Sequence, residues 1–167
     1  SSKSTDGMSV LLVDMRDAVG KGLTIRPIRT MLNHATTELF FDDLAVPAEN
    51  LIGQEGQGFR YIIDGMNAER LLIASECIGD GLFFIDRASA YARERSVFGK
   101  AIGENQAVQF PIARAHVQVT AASLMVQKAI QLAESGAAFG TEANMAKMLA
   151  SEASWYAADM CVQTHGG

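Results

Sequence analysis

Two segments carry residue types suited to holding phosphate. Arg93-Glu94-Arg95-Ser96-Val97-Phe98-Gly99-Lys100 concentrates cations where a helix is expected to end. Such cations complement the negative end of a helix dipole; equally, Arg95, beside an aromatic residue and a glycine break, can hold a phosphate. Gln163-Thr164-His165-Gly166-Gly167 reads either as a helix C-cap or as paired glycines that let backbone amides approach a phosphate closely. A third segment, Asn67-Ala68-Glu69-Arg70, places a carboxylate directly before the apolar stretch Leu71-Leu72-Ile73-Ala74. Read locally, Glu69 is a helix-start carboxylate in favourable contact with the dipole. The remaining candidates are plainer. Gly53-x-x-Gly56-x-Gly58 lacks the Rossmann glycine order and the Lys-Ser/Thr of a P-loop, so it reads as a flexible link. His34, beside Asn33 in a polar loop, and His116, within a helix, have no partner in the sequence. Met145, Met148 and Met160 recur at helical spacing and read as core filler.

The composition narrows the classes of function. With 49% hydrophobic and 20% charged residues in 167, the chain can bury a core and is no disordered polar tract. A net charge of -5 argues against the broad basic surface that nucleic acid or an anionic membrane requires. Cys77 and Cys161 form no C-x-x-C pair, and with the three histidines they make no metal-ligand spacing. Neither a disulfide scaffold nor a zinc module is expected, and a reducing compartment fits better. The apolar runs stop short of the ~20 residues that cross a bilayer, and Ser1 to Gly7 lead into no signal-peptide core. These features point to a soluble intracellular protein, cytoplasmic, or in the mitochondrial matrix if the source is eukaryotic. The absence of an initiator methionine and the ending on Gly166-Gly167 read as an ordered portion of something longer.

Two kinds of element must position these residues, and the character of the chain changes near residue 56. Before it, Val10-Leu11-Leu12-Val13, Leu23 to Ile28, Thr36 to Phe41 and Leu51-Ile52 are short β-branched and aromatic runs between turn residues, the pattern of antiparallel strands. Pro27 lacks a ladder donor and belongs at an edge or near a strand end. After it the pattern is helical. From Glu69 onward, Leu71, Ser75, Ile78, Leu82, Ile85, Ser89 and Ala92 alternate steps of four and three, a narrow seam on one helix face. A second helix carries Ile112, Ala115, Val119, Ala122, Val126 and Ile130, with Pro111 in its first turn and an end at Glu134-Ser135-Gly136. A third, N-capped by Thr141, carries Ala143, Ala146, Ala150, Ala153, Ala157 and Cys161. Ile78, Leu82, Ile85, Val119 and Val126 are expected to be buried. The fold class is therefore α+β: an antiparallel β segment over residues 1–56, then an up-down bundle over 57–167 that lacks its fourth helix.

Taken together these residues resemble the acyl-CoA dehydrogenase family over essentially the whole chain. Glu38-Leu39-Phe40-Phe41-Asp42-Asp43-Leu44-Ala45-Val46-Pro47-Ala48-Glu49-Asn50-Leu51-Ile52-Gly53 is similar to the signature that closes that family's central β domain. Arg95-Ser96-Val97-Phe98-Gly99-Lys100, followed by Gln106, resembles its first flavin-contacting segment, and Gln163 to Gly167 its second. The resemblance implies the second half of a β barrel and three helices of a four-helix bundle, with the family's N-terminal helical domain outside the chain. The loop Met31-Leu32-Asn33-His34 departs from the family's glycine-containing version.

The chemistry implied is α,β-dehydrogenation of an acyl-CoA thioester to the 2-enoyl-CoA, with FAD as cofactor and an electron-transfer flavoprotein as electron acceptor. In the isovaleryl and long-chain branches the base lies where Glu69 stands, followed by arginine as here; in others it lies downstream of residue 167. Asn67, Ala68 and Arg70 match positions lining the acyl-CoA site, Asn67 in place of a common acidic residue. Arg95 matches the pyrophosphate contact, with Ser96, Val97 and Phe98 alongside, and Asn105 and Gln106 fall at the adenosine part. Gln163, Thr164, His165, Gly166 and Gly167 match the segment giving backbone donors to the diphosphate. Some of these contacts reach FAD on a neighbouring subunit, so the resemblance implies a dimer or tetramer. A non-catalytic oligomerisation module derived from a dehydrogenase and an acyl-CoA oxidase share these motifs.

Overall fold

The computed structural model describes residues 7–31 and 35–167; the readings of the first six residues and of Leu32, Asn33 and His34 lie outside them. The elements in chain order are β1 (Val10–Leu11), α1 (Met15–Ala18), β2 (Leu23–Pro27), β3 (Thr37–Phe41), β4 (Leu51–Ile52), α2 (Gly58–Glu94), β5 (Ser96–Val97), β6 (Lys100–Ala101), α3 (Gln106–Glu134) and α4 (Gly140–His165). The chain divides into two compact units, residues 1–63 and 64–167. No described helix is long and apolar enough to cross a membrane.

In the first unit the strands form two antiparallel pairs, β1 with β4 and β2 with β3, and no closed barrel among the described residues. Leu23 lies opposite Phe41 and Pro27 opposite Thr37, so the proline closes β2 at its end, where its missing donor costs nothing. The glycine segment 53–58 is not a loose link. Gly56 N–H donates to Ser9 Oγ at 2.9 Å, and its carbonyl accepts from Gly7 at 3.1 Å. Gly58 N–H donates to the Met8 carbonyl at 2.7 Å. A Cβ on Gly58 would meet backbone atoms of Met8 and Ser9 at 2.8 to 2.9 Å, and one on Gly53 would enter the Tyr61 ring. The glycines allow close backbone approach, and α2 starts from that anchor.

In the second unit, α3 and α4 pack as neighbours and share one core cluster with α2. All six small residues expected on α4 are buried: Ala143, Ala146, Ala150, Ala153, Ala157 and Cys161. On α2 the seam departs from the expected one. Leu71, Ile85 and Ala92 are buried and Ile78 half-buried, but the residues alternating with them are Ala74, Gly81 and Ala88, not Ser75, Leu82 and Ser89. Leu82 is 46% exposed. The cause is helix separation. A Cβ on Gly81 would lie 2.7 Å from Val119 Cγ2, so α2 and α3 meet across a position that only glycine fits without displacement. Val119 and Val126 are buried as expected, while Ile130 gives way to Ala129.

Three helix starts differ from the sequence reading. α2 begins at Gly58, far upstream of Glu69. α3 begins at Gln106, because the Asn105 carbonyl already accepts from Val108 and Gln109 at 2.9 and 3.0 Å. Pro111 therefore falls in the second turn, where it forgoes a helical hydrogen bond. α4 is capped by Phe139, whose carbonyl accepts from Ala143 at 2.8 Å, and Thr141 lies inside its first turn. Met160 is buried, but Met145 and Met148 are 44% and 55% exposed, so only the first fills the core. Phe110, Val117 and Leu124 on α3, and Met148, Trp155 and Val162 on α4, repeat at sevens on exposed faces. Such apolar stripes favour association.

Candidate functional site

α2 is 37 residues long, about 55 Å at the helical rise, and it carries candidate residues near each end of the second unit. Glu69 lies three turns into it, beyond reach of the helix N-terminus, whose dipole acts within the first turn. The helix-start reading of this carboxylate is thereby removed. Its surroundings are unusual for an exposed carboxylate. Met66, Leu72 and Ile73, the residues three before, three after and four after it, are 40%, 68% and 42% exposed. Those are its neighbours on the helix surface, so Glu69 stands in an apolar patch facing away from the core seam. Arg70 donates through Nη1 to Asn67 Oδ1 at 2.9 Å, and the pair is partly buried. The Asn67 carboxamide also lies against the start of α4, where a Cβ on Gly140 would be 3.3 Å from its Nδ2. Asn67 and Arg70 thus lie partly buried on the side of α2 toward α4, while Ala68 and Glu69 are exposed.

The other candidates gather at the opposite end, where α2 ends, α3 begins and α4 ends. Arg95 N–H closes the last turn of α2 on the Tyr91 carbonyl at 2.8 Å, and its own carbonyl accepts from Ile102 at 2.9 Å. Between them β5 and β6 form a hairpin with a two-residue turn. Phe98 (φ 52°) and Gly99 (φ 81°) occupy its centre, the all-positive pattern of a type I′ turn. Phe98 at its tip is fully exposed. The sequence reading saw a helix end and a glycine break here and missed the hairpin. The Arg95 side chain is exposed, with no ion-pair partner among the described residues. Asn105 ties its side chain to the Ile102 carbonyl at 3.0 Å, and Gln106 opens α3, exposed.

α4 ends on His165, and Gly166 caps it at φ 113°. The amides of Gly166 and Gly167 donate back to the Gln163 and Val162 carbonyls, both at 3.1 Å. The structure bears out the C-cap reading and corrects the paired-glycine one: both amides donate within the cap, so they are not offered to a phosphate in this conformation, and it is the Gln163 side chain that is left exposed. Ala107, Val108 and Pro111 of α3 line a cavity of about 260 Å³ with Met160, Gln163 and Thr164 of α4, which brings Gln106 and Gln163 to one end of the bundle. Burial pushes the Cys161 thiol up, the opposite of what a nucleophile needs.

Residues 56–167 match the sequence profile described as the acyl-CoA dehydrogenase C-terminal domain. The chain belongs to the acyl-CoA dehydrogenase family. FadE12 of Mycobacterium tuberculosis, an acyl-CoA dehydrogenase by name, is 37% identical over 159 residues, which cover 94% of this chain and 41% of that protein. Butyryl-CoA dehydrogenase from Megasphaera elsdenii superposes with a TM-score of 0.87 at 31% identity, over all of this chain and 44% of that one. Acyl-CoA dehydrogenase from Geobacillus kaustophilus does so with 0.89 at 32%, again over all of this chain and 44% of the other. The chain spans less than half the length of these relatives.

Sequence reasoning missed Tyr91. Its ring stacks on His165 with centroids 4.2 Å apart and planes at 28°, joining the ends of α2 and α4. The one local signal was its position four residues before Arg95. His116, which had no sequence partner, lines a cavity of about 410 Å³ between α2 and α3 with Ile85, Ser89, Arg93, Gln109 and Ile112. Among the described residues no group of three or more His, Cys, Asp or Glu could hold a metal ion.

Proposed function

We propose that this chain is part of an FAD-dependent acyl-CoA dehydrogenase in which Glu69 removes the α-proton of an acyl-CoA thioester. The observation that carries the reading is the placement of Glu69. It is a carboxylate three turns inside a helix, flanked by Met66, Leu72 and Ile73 and free of the dipole role that a helix start would give it. A base for so weak an acid must act in a dry site at hydrogen-bond reach. The apolar patch supplies the dry walls once acyl chain or protein covers it. Arg70 and Asn67, already joined at 2.9 Å, form the polar rim toward the thioester.

FAD, when bound, supplies the acceptor for the hydride that leaves the β-carbon. The residues at the other end fit such a group: Arg95 is exposed and unpaired among the described residues, and Gln106 and Gln163, at the start of α3 and the end of α4, are exposed too. Arg95 would pair with the diphosphate, with Ser96, Val97 and Phe98 alongside. Asn105 and Gln106 would face the adenosine, and the segment Gln163–Gly167 would complete the cradle, Gln163 giving side-chain donors.

Glu69 and Arg95 are 26 residues apart, about 39 Å along a helix. The ribityl chain joining a flavin ring to its diphosphate is far shorter. One chain therefore cannot serve one FAD at both places, and the reading requires a homo-oligomer whose sites are shared. An electron-transfer flavoprotein is the proposed acceptor, and a cytoplasmic or, in a eukaryote, mitochondrial-matrix location accords with it.

The test is spectroscopic. Full-length protein should purify yellow, with the absorption of oxidised flavin, and should bleach anaerobically on addition of acyl-CoA. Colourless protein that does not take up FAD would leave only a helical association module. Rapid oxygen consumption during turnover would indicate an oxidase.

A further inference from the structure

We propose that Tyr91 is a positioning residue for the cofactor end of the bundle: stacked on His165, it holds Arg95 and the Gln163–Gly167 cap at one fixed spacing, so that both address the same diphosphate. The inference rests on the FAD reading above and deepens it. Arg95 and Gln163 belong to different helices and lie far apart in sequence, yet a diphosphate needs both within a single span. Binding strengthens when such groups are already in place and need no ordering.

Both partners of the stack are themselves fixed. Tyr91 is one turn below Arg95 on the same helix face, and its carbonyl accepts the Arg95 N–H at 2.8 Å. His165 Nδ1 lies 2.8 Å from the Cys161 carbonyl. A carbonyl only accepts, so Nδ1 carries a proton and the ring orientation is set by its own helix. Next to it, Thr164 Oγ1 donates to the Met160 carbonyl at 2.8 Å, and Gly166 turns the chain at positive φ immediately after. The near-parallel rings at 4.2 Å are within the range of favourable aromatic pairs. Tyr91 is only half-buried and is not a member of the core cluster, and the contact described for its ring is the stack.

The experiment titrates full-length apoprotein with FAD and follows quenching of flavin fluorescence, alongside thermal melts. Tyr91→Leu should raise the FAD Kd by about threefold to tenfold, the scale of an aromatic pair, while Tyr91→Phe, which keeps the ring, stays at the parent value. His165→Leu should match Tyr91→Leu, and the double variant should be no weaker than either single one, since both remove one interaction. A Tyr91→Leu protein with parent affinity overturns the proposal, as does strict additivity in the double variant. Should Tyr91→Leu fail to melt cooperatively, His165→Leu, at an exposed helix end, decides alone: parent affinity there overturns it equally. Arg95→Ala separates the two levels. If that variant binds FAD as the parent does, the FAD reading itself fails; if it binds weakly while Tyr91→Leu does not, only the role of Tyr91 falls.

Discussion

Glu69→Gln in the full-length protein is expected to slow flavin reduction by acyl-CoA by roughly 100-fold to 10,000-fold, the contribution of a positioned general base. Glutamine keeps the shape and removes the proton acceptor. Binding should survive, because in the proposed site the acyl chain would meet Met66, Leu72 and Ile73, and the Asn67–Arg70 pair is untouched. Rapid-mixing absorbance at the flavin band reports the proton-abstraction step without interference from product release. A variant that bleaches at nearly the parent rate would clear Glu69 and place the base downstream of Gly167. With α2 starting at Gly58, a purely electrostatic role at a helix end is no longer available to this carboxylate.

Arg95→Ala is expected to weaken FAD binding by about tenfold to a hundredfold, the loss of a hydrogen bond to a charged group. The guanidinium is exposed beside a helix end and has no ion-pair partner among the described residues, so removing it leaves no buried charge behind and should spare the fold. Gel filtration followed by absorbance measures the flavin retained, and titration of apoprotein gives the affinity. Full retention at parent affinity would remove Arg95 from the site. Because the proposed contact would be an ion pair with phosphate, the difference between parent and variant should also shrink as salt is raised.

Much of this arrangement was legible from local pattern. The strand runs paired as antiparallel ladders, with Pro27 at a strand end, and the alanine row of α4 was buried throughout, since small residues at threes and fours have no other use so regularly spaced. Where the reading slipped, size misled it. Leu82 looks like core and Gly81 like a weakness, yet the approach of α2 to Val119 inverts their roles. Only the partner helix reveals that. The start of α2 was hidden for a similar reason, because its glycines are paid for by hydrogen bonds to Gly7, Met8 and Ser9, far back in the chain. Arg95, Gln106 and Gln163 could be named from the sequence, but their meeting at one end follows from helix direction. The Tyr91–His165 stack is a long-range contact that no local pattern encodes.

The separation of Glu69 from Arg95 along α2 has a genetic consequence. If every site draws its base from one chain and its phosphate clamp from another, two defective alleles can rescue each other. An assembly mixing Glu69→Gln chains with Arg95→Ala chains contains one site bearing both lesions and one bearing neither. Co-expression of the two should restore roughly a quarter of parental turnover for randomly paired twofold assemblies, although each allele alone is crippled. Turnover no higher than the mean of the two homogeneous variants would mean that each chain completes its own site.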